Sequence, residues 1–239
     1  RKSPARRWME HQRFDGAAAR DHQPASAGTS RVSPVDWIIT NSSHILSLAG
    51  AHLALAIPAI VASFILSLPI AVFANRFRGV RGVIVTGTGL LYAVPSLPLF
   101  IVLPVLLGTG VRDTINVVVA LTLFGLALMV RSAADALDSV PAPAKLSATA
   151  QGYSTVGRFF AVDLPLATPA LLAGLRVVSV STISLVTVSA VIGVQSLGSL
   201  FTDGFQRGII PSILSGVVVT ALIALIVDQL LVLAGRLLT

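Results

Sequence analysis

Residues 145–165, KLSATAQGYSTVGRFFAVDLP, are the stretch on which the reading of this chain turns. They lie between two long apolar runs and are too polar to rest in hydrocarbon. Pro141 and Pro143 stop whatever helix precedes them, because proline lacks an amide donor and biases its predecessor away from helix. Residues 144–151 are then free to be helical. Gly152 suits the left-handed position that ends a helix. Ser154 or Thr155 can cap a second helix, expected to run to about Asp163 and to be closed by Pro165. The segment 141–165 is thus expected to hold two short helices broken at one glycine. Spacing alone leaves two uses open: a plain connector, or a docking surface for a soluble partner.

The surroundings of this stretch decide the class. The chain has 239 residues, of which 54% are hydrophobic and 11% charged, with a mean hydropathy of +0.88. Soluble domains carry about 25% charged residues. The composition therefore predicts an all-α integral membrane protein with no extramembrane domain of useful size. There is no cysteine, which excludes disulfides and thiolate metal sites. The net charge of +7 belongs first to topology and to membrane lipid, so nucleic acid is not an expected partner.

Five apolar runs follow. Residues 1–33 are a polar, arginine-rich tail, with a short interfacial helix expected near Arg6 to Arg20. The first apolar run begins after this tail, too late for a cleavable signal peptide. Residues 34–50 mix apolar and polar side chains around Trp37 and are expected to form an interfacial helix. No Asp, Glu, Lys or Arg occurs between Trp37 and Asn75, and a first span is placed at 52–74, with Pro58 and Pro69 inside it. Arg76, Arg78 and Arg81 crowd the next short loop and mark it as cytoplasmic. The second span, 82–110, is interrupted by Pro95, Pro98 and Pro104 and is expected to be broken or strongly kinked. The third, at 114–130, leads into the opening stretch. The fourth is placed at 167–194 and the fifth at 209–234, with the glycine-rich outer loop 195–208 between them. Five crossings put the N-terminus outside.

The sequence holds no HExxH, no GxSxG and no GxxxxGK[ST] phosphate loop. His44 and His52 lie eight residues apart without a carboxylate nearby, a poor metal site, and an interfacial location is expected for both. Asp228 is the one acid inside a span, where Arg176 or Arg131 could pair with it. Span four is rich in hydroxyls: Ser179, Ser181, Thr182, Ser184, Thr187 and Ser189. They can serve helix packing or line a polar path; packing is the default.

Gly152 followed by Leu164–Pro165 resembles the EAA loop of binding-protein-dependent ABC importer permeases. Aligned on these residues, Leu146, Ser147 and Ala148 stand at the Glu-Ala-Ala positions. Only the second alanine matches, and the glutamate is absent. VPSLPLF (94–100), GTG (108–110), VDLPLATPALLAGLR (162–176) and AVIGVQSLGSLFTDGFQRG (190–208) are similar to the osmoprotectant subgroup, which serves glycine betaine, carnitine, choline and proline betaine. The proline-serine-leucine segment sets it apart from amino-acid, methionine and sulfate permeases. The resemblance covers 52–239.

The resemblance implies the type I importer permease fold and a multi-pass place in the cytoplasmic membrane. It implies an ABC ATPase dimer as partner, a second permease copy or a homologous sister, and an extracytoplasmic solute-binding protein. ATP and Mg would be bound by the ATPase, with no cofactor on this chain and no catalysis by it. The coupling helix would comprise Lys145, Leu146, Ser147, Ala148, Thr149, Ala150 and Gln151, with Gly152 and Tyr153 at its turn. Within or beside the matched segments, the translocation path or gate is expected at Tyr92, Pro95, Ser96, Ser184, Thr187, Gly193 and Gly198. The spans hold few aromatics for a quaternary ammonium ion (Phe64, Phe73, Tyr92, Phe100 and Phe124), so selectivity is expected to lie mainly in the binding protein. The other readings are a permease for another small solute, such as an amino acid or methionine, and, in a different class, a membrane enzyme or secondary carrier.

Overall fold

The structure, a computed structural model, describes residues 34–238; the tail expected over 1–33 lies outside them. All regular elements among the described residues are helical. A short helix, α1 (Pro34–Thr40), carries Asp36 in its first turn, where a carboxylate complements the helix dipole. The long helix α2 (Ser42–Arg76) follows after Asn41. The interfacial helix expected over 34–50 is thus two pieces, and the helix holding the first span starts ten residues before position 52. Nothing between Ser42 and Ala51 breaks a helix, so the edge of the apolar run is not the edge of the helix.

The second apolar run is broken. Helix α3 (Arg78–Leu90) runs into a 3₁₀ turn at Leu91–Ala93, and α4 (Ser96–Leu107) leaves at 103° to it. The cause is local: Val94 and Pro95 are extended, with ψ of 125° and 132°, and a residue preceding proline is pushed out of the helical region. Pro58 and Pro69, by contrast, sit inside α2 without interrupting it.

Helix α5 (Thr114–Asp138) is followed by α6 (Ala142–Ala150) and α7 (Thr155–Arg158). Next come a π turn at Phe159–Asp163 and α8 (Leu164–Val186), which tightens into a 3₁₀ turn at Thr187–Ile192. Pro165 does not close the second short helix as expected. The helical path runs without a break from Thr155 to Ile192. The wider π turn ends at Asp163, so Pro165 falls in the first turn of α8, where a missing amide donor costs little. Helix α9 (Gly198–Arg207) and α10 (Ile210–Leu238) complete the chain.

Four helical runs, α2, α5, α7–α8 and α10, are long and apolar enough to cross a membrane, and the bent α3–α4 pair makes a fifth if counted as one span. Helix α5 packs between α2 and α8, and α10 lies against α8. The close approaches use small residues, as helix pairs in membranes do. Ala56, Ala59, Ala120, Ala133 and Ala134 are fully buried. A Cβ added at Gly125 would collide with the Ser63 hydroxyl, and one at Gly174 would lie 2.6 Å from Cβ of Ser132.

Helix α10 is tied to α8 by an ion pair in its apolar length. Arg176 Nε donates to Asp228 Oδ1 at 2.6 Å and Nη2 to Oδ2 at 2.8 Å, a bidentate fork. Removing one partner leaves the other charge without compensation in an apolar setting. Asp228→Ala is therefore expected to lower the yield of folded protein in the membrane, and Arg176→Leu combined with Asp228→Leu to restore most of it. Size-exclusion profiles of detergent extracts check this; a double variant no better than Asp228→Ala argues against the pair.

Candidate functional site

The opening stretch folds as a hairpin of short helices at the end of the bundle that carries the basic loop. Pro141 is extended at the start of α6, and the Pro141 carbonyl accepts from the amides of Ala144 and Lys145. At the far end the amide of Gly152 donates to Thr149 O at 3.1 Å and that of Tyr153 to Ala148 O at 3.2 Å. These paired bonds form a Schellman motif, which requires a left-handed residue at the turn; Gly152 has φ +86°. Ser154, rather than Thr155, caps α7: its Oγ accepts from Gly157 N at 3.1 Å.

The hairpin is fastened to the bundle. Lys145 Nζ donates to the Leu137 carbonyl at 3.0 Å, one of the last carbonyls of α5, which lack helical donors. Ala148 is buried under α6. Arg158 Nε reaches Asp163 Oδ2 at 3.3 Å and its Nη1 reaches Thr149 Oγ1 at 3.4 Å. The basic loop meets the same end of the bundle: Arg81 Nη2 lies 2.8 Å from Asp135 and 3.4 Å from Asp138. Leu146 (70% exposed), Tyr153, Val156 and Phe160 are left facing outward, and Ser147, Thr149, Ala150 and Gln151 are also exposed. Leu146 and Tyr153 are thus apolar side chains exposed on a pinned, polar hairpin, while Val156 and Phe160 lie in the run that reaches into the fourth span.

A second feature lies between the spans. Tyr92, Pro95 and Ser96 from the α3–α4 break line a cavity of about 300 Å³ together with Phe124 of α5 and with Ser181 and Thr182 of α8. The Tyr92 and Phe124 rings meet edge to face, with centroids 6.3 Å apart. Three of the seven expected path residues are thus brought together. Ser184 and Thr187 are not in this lining: Ser184 is exposed, and its carbonyl accepts the Thr187 hydroxyl at 2.7 Å. Ser181 and Thr182 stood among the span-four hydroxyls and Phe124 among the span aromatics, but no local signal joined them to Tyr92.

Gly193 and Gly198 belong to a third feature, the turn from α8 into α9, in which Gly193 is exposed and Gly198 is buried. Gly193 ends the 3₁₀ turn with φ +82°. An added Cβ there would lie 3.0 Å from Arg112 Nε. The buried Ser196 hydroxyl contacts Ser189 Oγ and the Val186 carbonyl and accepts from Gly198 N. Gly198 packs directly on the carbonyl of Thr187. At ten residues, α9 is too short to cross a bilayer.

His44 is exposed, whereas His52 points into the packed interior of the bundle. It is fully buried, with Nε2 2.9 Å from the Ile183 carbonyl. Where α8 tightens, the Thr187 amide turns to Ser184 O and Ile183 O loses its helical donor; the histidine occupies the vacancy. Among the described residues no three His, Cys, Asp or Glu side chains converge as a metal site would require.

Residues 63–238 match the family described as "Binding-protein-dependent transport system inner membrane component". The osmoprotectant import permease protein OsmW of Salmonella typhimurium is 28% identical over 200 residues, covering 82% of this chain and 93% of that protein. The choline transport system permease protein OpuBB of Bacillus subtilis is 25% identical, covering 86% and 93%. The glycine betaine/carnitine/choline permease OpuCD of the same organism is 25% identical, covering 79% and 81%. Among solved structures, the inward-facing MetNI methionine ABC transporter superposes with a TM-score of 0.72 at 17% identity, covering 87% of this chain and 99% of that one. An amino acid ABC transporter gives 0.68 at 16% identity, covering 83% and 96%. At such identities the likeness is one of fold. The long match across the helical bundle establishes that this chain belongs to the family of inner-membrane components of binding-protein-dependent transport systems.

Proposed function

We propose that this chain is the membrane-spanning subunit of an ATP-driven importer for a quaternary ammonium osmoprotectant: glycine betaine, choline, carnitine or proline betaine. The observation that carries this reading is the near full-length similarity to OsmW, OpuBB and OpuCD. The methionine and amino acid transporters share the fold alone and do not bear on the solute.

In this reading the exposed face of α6 docks in the ATPase. Two permease chains, identical or sisters, each carry one such helix. ATP and Mg are held by the ATPase dimer, and its closure on ATP draws the two helices together. Because α6 is pinned to the end of α5 through Lys145 and to the start of the α7–α8 run through Arg158, its displacement is passed to two spans at once. The spans then rock between inward-open and outward-open states, a rigid-body switch. Leu146 stands where the family's glutamate would be, so this docking relies on apolar contact.

The test is reconstitution in vesicles with the neighbouring ATPase and solute-binding protein. Uptake of labelled glycine betaine or choline that needs ATP and the binding protein is expected. ATP-dependent uptake of methionine, with none of any quaternary ammonium solute, would overturn the proposal.

A further inference from the structure

The cavity at the α3–α4 break has a chemistry of its own. Its volume of about 300 Å³ is at the lower end of the roughly 300–1,000 Å³ seen for small-molecule pockets. Its lining carries no formal charge. The hydroxyls of Ser179 and Thr220 are buried without a hydrogen-bond partner among the described residues, but several others in the spans tie back to a carbonyl four residues earlier, as in Ser63 to Ala59, Thr122 to Val118, Ser132 to Leu128 and Thr168 to Leu164. The hydroxyls of Ser96, Ser181 and Thr182 do not: among the described residues none of them takes a hydrogen-bond partner. One wall is instead the edge-to-face pair of Tyr92 and Phe124, with Tyr92 half exposed.

We propose that this cavity is a transient binding site for a trimethylammonium solute within the permease, with the cationic head against the Tyr92–Phe124 wall and a solute carboxylate taken by the hydroxyls of Ser96, Ser181 and Thr182. The proposal rests on the osmoprotectant reading and adds a site to it. A permanent cation bearing only methyl groups offers no hydrogen-bond donor, so an aromatic wall is the partner it can use. A carboxylate needs donors, and three uncommitted hydroxyls supply them without a fixed charge. A lining with no acid or base holds the solute weakly, as passage requires. Which solutes arrive stays with the binding protein; the cavity governs how quickly each passes.

The test uses the full complex in vesicles, with the binding protein present and solute saturating. Tyr92→Ala should lower turnover for glycine betaine and choline alike by about tenfold, while Tyr92→Phe stays within about twofold of wild type. Ser181→Ala combined with Thr182→Val should slow glycine betaine several-fold and leave choline unchanged. Retention of the ATPase in each variant complex shows that assembly is intact. Turnover of Tyr92→Ala equal to wild type, or a hydroxyl variant that slows both solutes equally, overturns the site while leaving the transport reading standing. A wild-type complex that moves neither solute overturns the transport reading and the site with it.

Discussion

Gly198→Ala is expected to abolish solute uptake, although it adds a single methyl group. Gly198 is buried, and a Cβ there would overlap the Thr187 carbonyl oxygen and lie 2.7 Å from the carbonyl carbon. The obstacle is backbone, so no side-chain rotation relieves it. Relief requires α9 to part from the 3₁₀ turn at Thr187–Ile192. That movement would break the bond from Gly198 N to the Ser196 hydroxyl and disturb the Ser189–Ser196–Val186 cluster. Inserting a methyl group into a packed core costs about 1–3 kcal/mol, and a contact with fixed backbone belongs at or above the top of that range. Gly208→Ala is the comparison: it has φ +67° but nothing within 4 Å of an added Cβ, so it should lose much less. Uptake in vesicles at matched protein level measures both. Uptake by Gly198→Ala equal to that of Gly208→Ala would mean that the turn from α8 into α9 yields freely and has no part in transport.

The apolar runs and the punctuation by proline and glycine were legible in the sequence, because both are local properties. Pro95 marks the break between α3 and α4, and Gly152 marks the end of α6, since each acts on its own backbone. Pro165 misled, because a proline stops a helix or opens one according to the turn ahead of it, and π turns leave no pattern in composition. The pairing of Tyr92 with Phe124 was hidden for a different reason. Periodicity says which residues share a face of one helix, not which faces of two helices meet. His52 shows the same limit: its partner is a main-chain carbonyl freed by a 3₁₀ turn, and no side-chain pattern announces that. Of the expected path residues, those beside the break converge, while the Thr187 hydroxyl donates to the Ser184 carbonyl on its own helix and Ser184 faces outward. In an apolar span a hydroxyl that closes on its own helix looks the same in sequence as one left open to a solute.

Substitution at Gly152 should separate the permease from its ATPase without unfolding the bundle. The φ of +86° lies in the left-handed region, where an L-residue costs about 1–2 kcal/mol. An added Cβ meets nothing within 4 Å, so the penalty is conformational and not steric. The chain can relieve it only by giving up the Schellman bonds from Gly152 to Thr149 and from Tyr153 to Ala148. The last turn of α6 then frays, and the exposed Leu146 face loses its fixed setting against α7. Asparagine tolerates left-handed backbone and valine, being β-branched, does not. ATPase recovered with the purified permease should therefore fall in the order wild type, Gly152→Asn, Gly152→Val, with the last near background. The melting temperature of the permease alone should fall by only a few degrees, because one turn of the short hairpin frays while the packing of the spans stays in place. Equal ATPase recovery from all three would return the hairpin to a plain connector. A graded loss would assign the contact to α6 and identify backbone geometry, in place of the missing glutamate, as what holds the docking surface in shape.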